Sequence, residues 1–223
     1  MSKIDRQFLH EFLYRGKELE TLNDKRVTML GCGALGSWTA IFLAKSGLKH
    51  FRLIDMDKVE IHNTSTQAFF LENLNQYKAT ALSRILYRIN RARSSIYNEE
   101  LTADNMSLAF DDTDLVICTF DNYKSRKLIR DKALELDFPT VFAGMNGSLN
   151  YGEVAWAEDY SPPRDPKSRV IDPCNYPLAT TLVVLTSTVL AEVSLNYLLK
   201  GFKFYKPFGF SFSSFQVISK QEL

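Results

Sequence analysis

Several short groups of residues in this chain are of the types that handle phosphates or attack carbonyl carbons. Gly31-Cys32-Gly33-Ala34-Leu35-Gly36 sets three glycines in the spacing G-x-G-x-x-G. The first two let the backbone turn tightly and approach a phosphate. The third lets a helix pack close on a strand, and the helix N-terminus adds amide donors and positive potential. Asp55 follows Gly36 by 19 residues, where an acid can accept from ribose hydroxyls. Taken alone, this pair favours a dinucleotide such as NAD, with a ligand-free glycine turn as the structural alternative. Asp57 adds a second carboxylate on the same side of an extended segment. One acid suffices for a ribose, so the second could help hold magnesium near phosphates. Asn63, Gln67, Lys78 and the pair Asp121-Asn122 put further polar groups after apolar runs. Cys174 stands in Asp172-Pro-Cys174-Asn-Tyr-Pro, just ahead of a long apolar segment. A helix N-terminus nearby would favour its thiolate, the nucleophilic form.

Positioning these groups requires a particular set of elements. The apolar runs 27–30 and 51–54 flank a helical stretch at 34–45, a strand–turn–helix–strand order that implies a parallel pair. Leu82, Ile85, Leu86 and Ile89 make a helical stripe over 78–91. Residues 115–118 read as a buried strand, 124–136 as a helix, and 140–143 and 152–157 as later strands. The stretch 158–177 contains Pro162, Pro163, Pro166, Pro173 and Pro177 and reads as a long mobile crossover loop. Two short closing strands are expected within 202–218, and an amphipathic N-terminal helix over 3–21, carrying Phe8, Phe12, Leu13 and Leu19. The expected fold is α/β: a Rossmann-like, mostly parallel sheet flanked by helices and continued by antiparallel strands at the C-terminal side. One domain accounts for residues 1–223.

Composition narrows the classes. With 27 Lys and Arg against 26 Asp and Glu, the net charge of +1 gives no electrostatic case for nucleic acid or an anionic membrane. The first twenty or so residues alternate charges with single apolar residues, unlike a secretory signal, so a cytoplasmic protein is expected. The three cysteines form no C-x-x-C pair, which excludes a disulfide framework and a four-cysteine zinc site. Cys32 and Cys118 lie in a turn and a strand and are expected to be buried and inert, and His10, His50 and His62 show no ligand spacing. The segment 178–199 is 22 residues long with Glu192 as its single charge, near the length of a membrane span. Its seven Ser, Thr and Asn residues and ordinary flanks favour a buried core or interface helix instead. The Phe-rich tail lacks the basic lining of a base-stacking platform and suits sheet core or a dimer contact.

Read in order, Gly31-Cys-Gly33-Ala34-Leu35-Gly36-Ser37, Asp55-x-Asp57-x-Val59, Asn63 with Gln67, Lys78-Ala79 and Asp121-Asn122 with Arg126 resemble the ThiF/MoeB/HesA superfamily. This superfamily comprises sulfur-carrier adenylyltransferases and ubiquitin-activating enzymes. The resemblance implies an enzyme that binds ATP and Mg2+ and adenylates the C-terminal carboxylate of a ubiquitin-like protein. It implies that the glycine loop lines the nucleotide, with Asp55 on the ribose. It further implies that Lys78 neutralises phosphate charge and that Asp121, assisted by Asp57, holds magnesium. Arg6-Gln7 is similar to an N-terminal Arg-Gln of the superfamily, whose arginine reaches ATP from the partner subunit of a homodimer.

Two departures stand out. The superfamily's Asn-x-x-Arg-Gln reads Asn63-Thr-Ser-Thr66-Gln67 here, so one phosphate clamp is missing unless Lys124 or Arg126 supplies the charge. The zinc-binding cysteine pairs of many relatives are also missing, so no zinc is expected. Cys174 followed by Thr180-Thr181 and a long apolar helix is similar to the activating enzyme of the ubiquitin-fold modifier. That likeness implies a thioester on Cys174 and transfer to a conjugating-enzyme-like protein. The small size resembles minimal bacterial versions encoded in antiviral defence operons. Adenylation-only sulfur-carrier, peptide or tRNA-modifying relatives, and an NAD-binding oxidoreductase, remain as alternatives.

Overall fold

The computed structural model describes residues 6–146, 150–164, 177–203, 208–211 and 216–219. Its strands are β1 (Arg26–Leu30), β2 (His50–Ile54), β3 (Arg93–Tyr97), β4 (Leu115–Cys118), β5 (Thr140–Asn146), β6 (Tyr151–Trp156), β7 (Phe208–Ser211) and β8 (Gln216–Ser219). Its helices are α1 (Leu9–Arg15), α2 (Ala34–Lys45), α3 (Asn63–Thr66), α4 (Lys78–Asn90), α5 (Ser107–Phe110), α6 (Tyr123–Glu135) and α7 (Thr180–Lys200). The strands form one sheet in the order β3-β2-β1-β4-β5-β6-β7-β8. The pairs from β3 to β5 are parallel and those from β5 to β8 antiparallel, so the expected architecture holds.

The parallel strands are apolar throughout because both sheet faces are covered. Val27, Met29, Leu53, Leu115, Ile117 and Val141 point into one core with residues of α2, α4 and α7. Leu30, Ile54, Val116, Cys118 and Phe142 point into the other, with Ala109 and Phe110 of α5 and Ile129 and Ala133 of α6. Phe142 stacks on Tyr160 there, with ring centroids 4.3 Å apart.

Two features differ from expectation. The N-terminal helix is broken: a 3-10 turn (Arg6–Phe8) leads into α1, and a second 3-10 stretch (Gly16–Asn23) follows. Gly16, at φ +79°, ends α1 in a conformation that side-chain-bearing residues rarely adopt. Strand β3 was not anticipated, because Arg-Ser-Ser-Ile-Tyr has little apolar content; it is the sheet's edge strand and largely exposed. Within 158–177, residues 158–164 contain no helix or strand, and 165–176 lie outside the described residues.

Helix α7 is long and apolar enough to cross a membrane by composition. It packs instead on α2, β5 and β6. Its hydroxyls are satisfied locally: Thr186 and Ser194 donate to carbonyls four residues back, and Ser187 donates to Leu35 O of α2. Its one acid, Glu192, takes a two-pronged contact from Arg15, at 3.1 and 2.6 Å. Arg15 also donates to Glu11, and its side chain is only 10% exposed. This pair ties the N-terminal segment to α7.

Hydrogen bonding from Arg15 holds the Glu192 carboxyl below the usual carboxylate range, against the opposing effect of burial. A pKa lower in the folded than in the unfolded chain stabilises above the unfolded value, about 4.3 for Glu, and that contribution is lost as the pH falls through the folded value. Glu192→Gln is therefore expected to lower Tm by about 2–4 °C at pH 7, for a loss of about 1 kcal/mol at a half-exposed pair. The difference from wild type should shrink toward zero as the pH falls from about 4.3 through the lowered folded value. Thermal melts across pH check this.

Candidate functional site

The carboxyl ends of β1, β2 and β4 finish level with one another. Leu30 is in register with Ile54 on one side and Cys118 on the other. The next residues close the edge, since Gly31 N donates to Ile54 O at 3.0 Å and Thr119 N to Leu30 O at 2.8 Å. Strand order reverses between β1 and β4, so the loops that leave them diverge and open a crevice, the usual ligand position in such sheets.

The glycines have distinct roles there. Gly31 sits at φ +92°, and a Cβ would fall 2.8 Å from Thr119 Oγ1. At Gly36 a Cβ would lie 2.0 Å from Gly31 O, so its absence is what allows α2 to begin against β1. Gly33 is different: a Cβ there would meet only Gln67 Nε2, at 3.9 Å. Packing does not demand glycine at 33, and the space in front of it is free for a ligand. Ala34 and Leu35 open α2, whose first turn points its amides at that space.

Asp55 is 8% exposed and binds this loop to the next. Its carboxylate accepts from Cys32 N at 2.6 Å and from Asp57 N at 2.8 Å. Burial raises the Asp55 pKa, and Lys78 and the two amides oppose the shift. Lys78 starts α4, and its ammonium donates to Asp57 Oδ2 at 2.8 Å. Burial works against the Lys78 charge, but Asp55, Asp57 and Asp121 outweigh it and raise the pKa, so the ammonium persists across the physiological range. Asp121 is exposed, close enough to act on Lys78 by charge. Asn122 caps α6 by accepting from Ser125 N at 2.8 Å.

Asn63 and Gln67 bracket α3. Asn63 is buried and accepts from Glu60 N at 2.9 Å, a turn-forming role. Gln67 turns its amide toward Gly33, and its Oε1 is buried without a hydrogen-bond partner among the described residues. Sequence reading missed what holds this loop. Trp38 Nε1 donates to Thr66 O at 3.0 Å, and Ser37 Oγ accepts from Ala68 N at 3.0 Å. Both come from the first turns of α2, so the glycine loop and the Asn63–Gln67 loop are fixed to one helix. A Ser-Trp pair directly after the third glycine was the available signal. Thr180 Oγ1 donates to Ser65 O at 2.8 Å, bringing the start of α7 to the same loop.

The structure thus brings together the glycine loop, Asp55, Asp57, Gln67, Lys78 and Asp121, but it does not bring Arg6 to them. Gln7 Nε2 donates to Ile89 O at 2.6 Å, near the end of α4, whereas Lys78 begins that helix. Arg6 therefore sits by the opposite end of α4, about 16 Å of helix from Lys78. Arg126 is partly engaged by the backbone. Its Nε is turned back to Phe120 O, and its terminal nitrogens lie beside Gly144. Cys174 lies outside the described residues. Cys32 and Cys118 are fully buried, and burial raises both thiols, Cys118 to about 12, which leaves them unreactive as expected.

A family model described as the ThiF family matches residues 4–222. The chain belongs to the ThiF family. Among curated relatives, this ThiF-family chain is 30% identical over 128 residues to a sulfur carrier protein adenylyltransferase of Thermus thermophilus, covering 56% of this chain and 47% of that protein. It is 26% identical over 218 residues to a probable molybdopterin-synthase adenylyltransferase of Porphyra purpurea, covering 91% of this chain and 57% of that protein. The chain thus spans about half the length of these relatives. Among solved structures, E. coli MccB superposes with a TM-score of 0.83 at 16% identity, covering 99% of this chain and 70% of that one. That likeness shows a shared fold. MccB has also been solved with ATP, with a TM-score of 0.81, 16% identity, and 97% and 72% of the two chains covered.

Proposed function

We propose that this ThiF-family chain is an ATP-dependent adenylyltransferase acting on the C-terminal carboxylate of a small protein, a ubiquitin-like one, as its substrate. The observation that carries this reading is the open cradle at Gly33, faced by the side-chain amide nitrogen of Gln67 and flanked by the buried ammonium of Lys78. Gln67 Nε2 can donate to an acceptor that enters the cradle, and the phosphates and ribose of a nucleotide carry such acceptors. Membership in the family favours ATP over NAD as the nucleotide.

Adenylation needs little beyond positioning and charge. The substrate carboxylate is ionised at neutral pH and requires no base. One of its oxygens forms a bond to the α-phosphorus, the bond from that phosphorus to the β-phosphate bridging oxygen breaks, and pyrophosphate leaves with the electron pair. Lys78 offsets the charge that gathers on the phosphates, the first-turn amides of α2 add to it, and Asp55 keeps the loop in place and faces the ribose. Magnesium fits the donor set, because Asp57 and Asp121 are oxygen donors that both act on Lys78. Among the described residues no three His, Cys, Asp or Glu side chains converge into a metal cage. An ion here would be held by one or two carboxylates plus substrate phosphates. When bound, it supplies further neutralisation of phosphate charge.

Two finer steps belong to the same proposal. Arg6, held by Gln7 at the far end of α4, serves the site of a second copy in a homodimer. Cys174 lies six residues before Thr180, whose hydroxyl is bound to Ser65, so at most about 20 Å of chain separates it from the Asn63–Gln67 loop. Its thiolate attacks the acyl carbon of the adenylate, the bond from that carbon to the phosphate oxygen breaks, and AMP leaves, giving a thioester ready for a conjugating-enzyme-like protein. A cytoplasmic setting is part of this reading, since a thioester carrier works on free thiols.

The test is incubation with ATP, Mg2+ and candidate ubiquitin-like proteins, read as a thiol-sensitive adduct on a non-reducing gel. The adduct should form on wild type and vanish in Cys174→Ala, while adenylate formation persists. An adduct that survives Cys174→Ala would remove the thioester role. Adenylation of a short peptide but of no ubiquitin-like protein would replace the substrate.

A further inference from the structure

We infer that Asp57 is a positioning residue that holds Lys78 when no nucleotide is present and makes nucleotide binding depend on a divalent cation. The inference rests on the proposed ATP site. A continuous line of hydrogen bonds runs across that site: Cys32 N to Asp55, Asp57 N to Asp55, and Lys78 Nζ to Asp57. Lys78 N also donates to Asp57 O at 2.8 Å, so the two residues are joined through backbone and side chain alike.

The partners differ in what they lose by separating. The Lys78 side chain is 10% exposed and that of Asp57 is 55% exposed. A nearly dehydrated ammonium needs an anionic partner at all times, while the carboxylate can return to water. Buried Asp55 acts on the ammonium by charge alone, so Asp57 is its hydrogen-bonded partner until a phosphate arrives and competes for that ammonium. Without a divalent cation, the displaced carboxylate stands beside phosphate oxygens, and two like charges face each other in a partly buried place. A divalent cation between them turns that repulsion into attraction. Asp121 acts on Lys78 by charge, but no hydrogen bond joins it to the ammonium among the described residues. Asp57 therefore competes directly for Lys78, and Asp121 does not.

The experiment is calorimetric binding of ATP to the full chain, with excess MgCl2 and with EDTA, for wild type, Asp57→Asn and Asp121→Asn. It needs no protein substrate and no turnover. Wild type should bind metal-free ATP at least about tenfold more weakly than the magnesium complex. Asp57→Asn should bind metal-free ATP about five- to tenfold more tightly than wild type does, bringing the two affinities within about twofold. Asp121→Asn should give a smaller gain. Asp57→Ser should behave like Asp57→Asn and serves if the latter does not fold.

Equal weakening of both ATP forms in Asp57→Asn, or an unchanged ratio, would overturn the inference and leave the nucleotide site intact. So would an equal gain in Asp121→Asn, which would mean that removing any nearby charge suffices. If wild type binds no ATP in either condition, the proposed function falls, and this inference with it.

Discussion

Lys78→Met is expected to lower adenylate formation by about 100- to 1,000-fold while leaving the fold intact. The size follows from removing one preorganised charge aimed at phosphates in a water-poor site. Survival of the fold follows from the two ends of the side chain. Methionine keeps much of the packed stem; of the partners left behind, Asp57 is more than half exposed and can be hydrated, and buried Asp55 keeps its two backbone amide donors. Steady-state rates with a melting curve on the same preparation check both halves. A loss below about tenfold would mean that Lys78 is mainly a structural partner of Asp57.

Two alanine substitutions in the glycine loop should separate structure from chemistry. Gly36→Ala would put a methyl carbon 2.0 Å from the carbonyl oxygen of Gly31 and 2.9 Å from Thr119 Oγ1. The first of these is backbone at the end of β1 and cannot rotate away, so α2 must shift off the sheet. The expected cost exceeds about 4 kcal/mol, seen as failure to accumulate folded protein or a large fall in Tm. Gly33→Ala meets only the end of the flexible Gln67 side chain, at 3.9 Å. It should lower Tm by only a few degrees, the cost of a poorer N-cap worth about 1 kcal/mol, and bind ATP about tenfold or more weakly, because the new methyl occupies space in front of the loop. Equal melting temperatures for both variants would contradict this division of roles.

The two glycines also show what a sequence can and cannot reveal. Spacing alone placed Gly31, Gly33 and Gly36 between a strand and a helix, and the bounds of α2 fall where the pattern put them. Buried parallel strands carry an unmistakable apolar run, as in Leu115–Cys118. Strand β3 carried no such signal, because an edge strand needs no apolar face and Arg93–Tyr97 is held by backbone pairing with β2. The N-terminal segment was misread for a related reason. Its apolar stripe continues through Gly16, and only the left-handed backbone there shows where the helix stops.

Within the site, residue types were legible and their partnerships were not. Asp55 and Asp57 looked like two ligands for a nucleotide and its cation. The structure adds that Asp55 fastens the glycine loop and Asp57 holds Lys78. Nothing in their spacing distinguishes these tasks, since both lie at a loop and their partners are 23 and 21 residues away. Arg6 looked like a member of the site, and its position by Ile89 became visible only when Gln7 had been placed. Asn122 was expected at the ligand and is engaged as a helix cap, a role that Asn at the start of a helix takes by default.

The most direct measurement is ATP–pyrophosphate exchange by the wild-type chain, in the presence of Mg2+ and a panel of small ubiquitin-like proteins, each tested with a free and with an amidated C-terminus. Exchange requires a reversible bond between a carboxylate and the α-phosphorus and nothing further. The expected result is exchange stimulated by at least one protein with a free C-terminus and by none with the amide. Absence of exchange with every free C-terminus, or equal exchange with the amidated proteins, would contradict adenylation of a C-terminal carboxylate at this site.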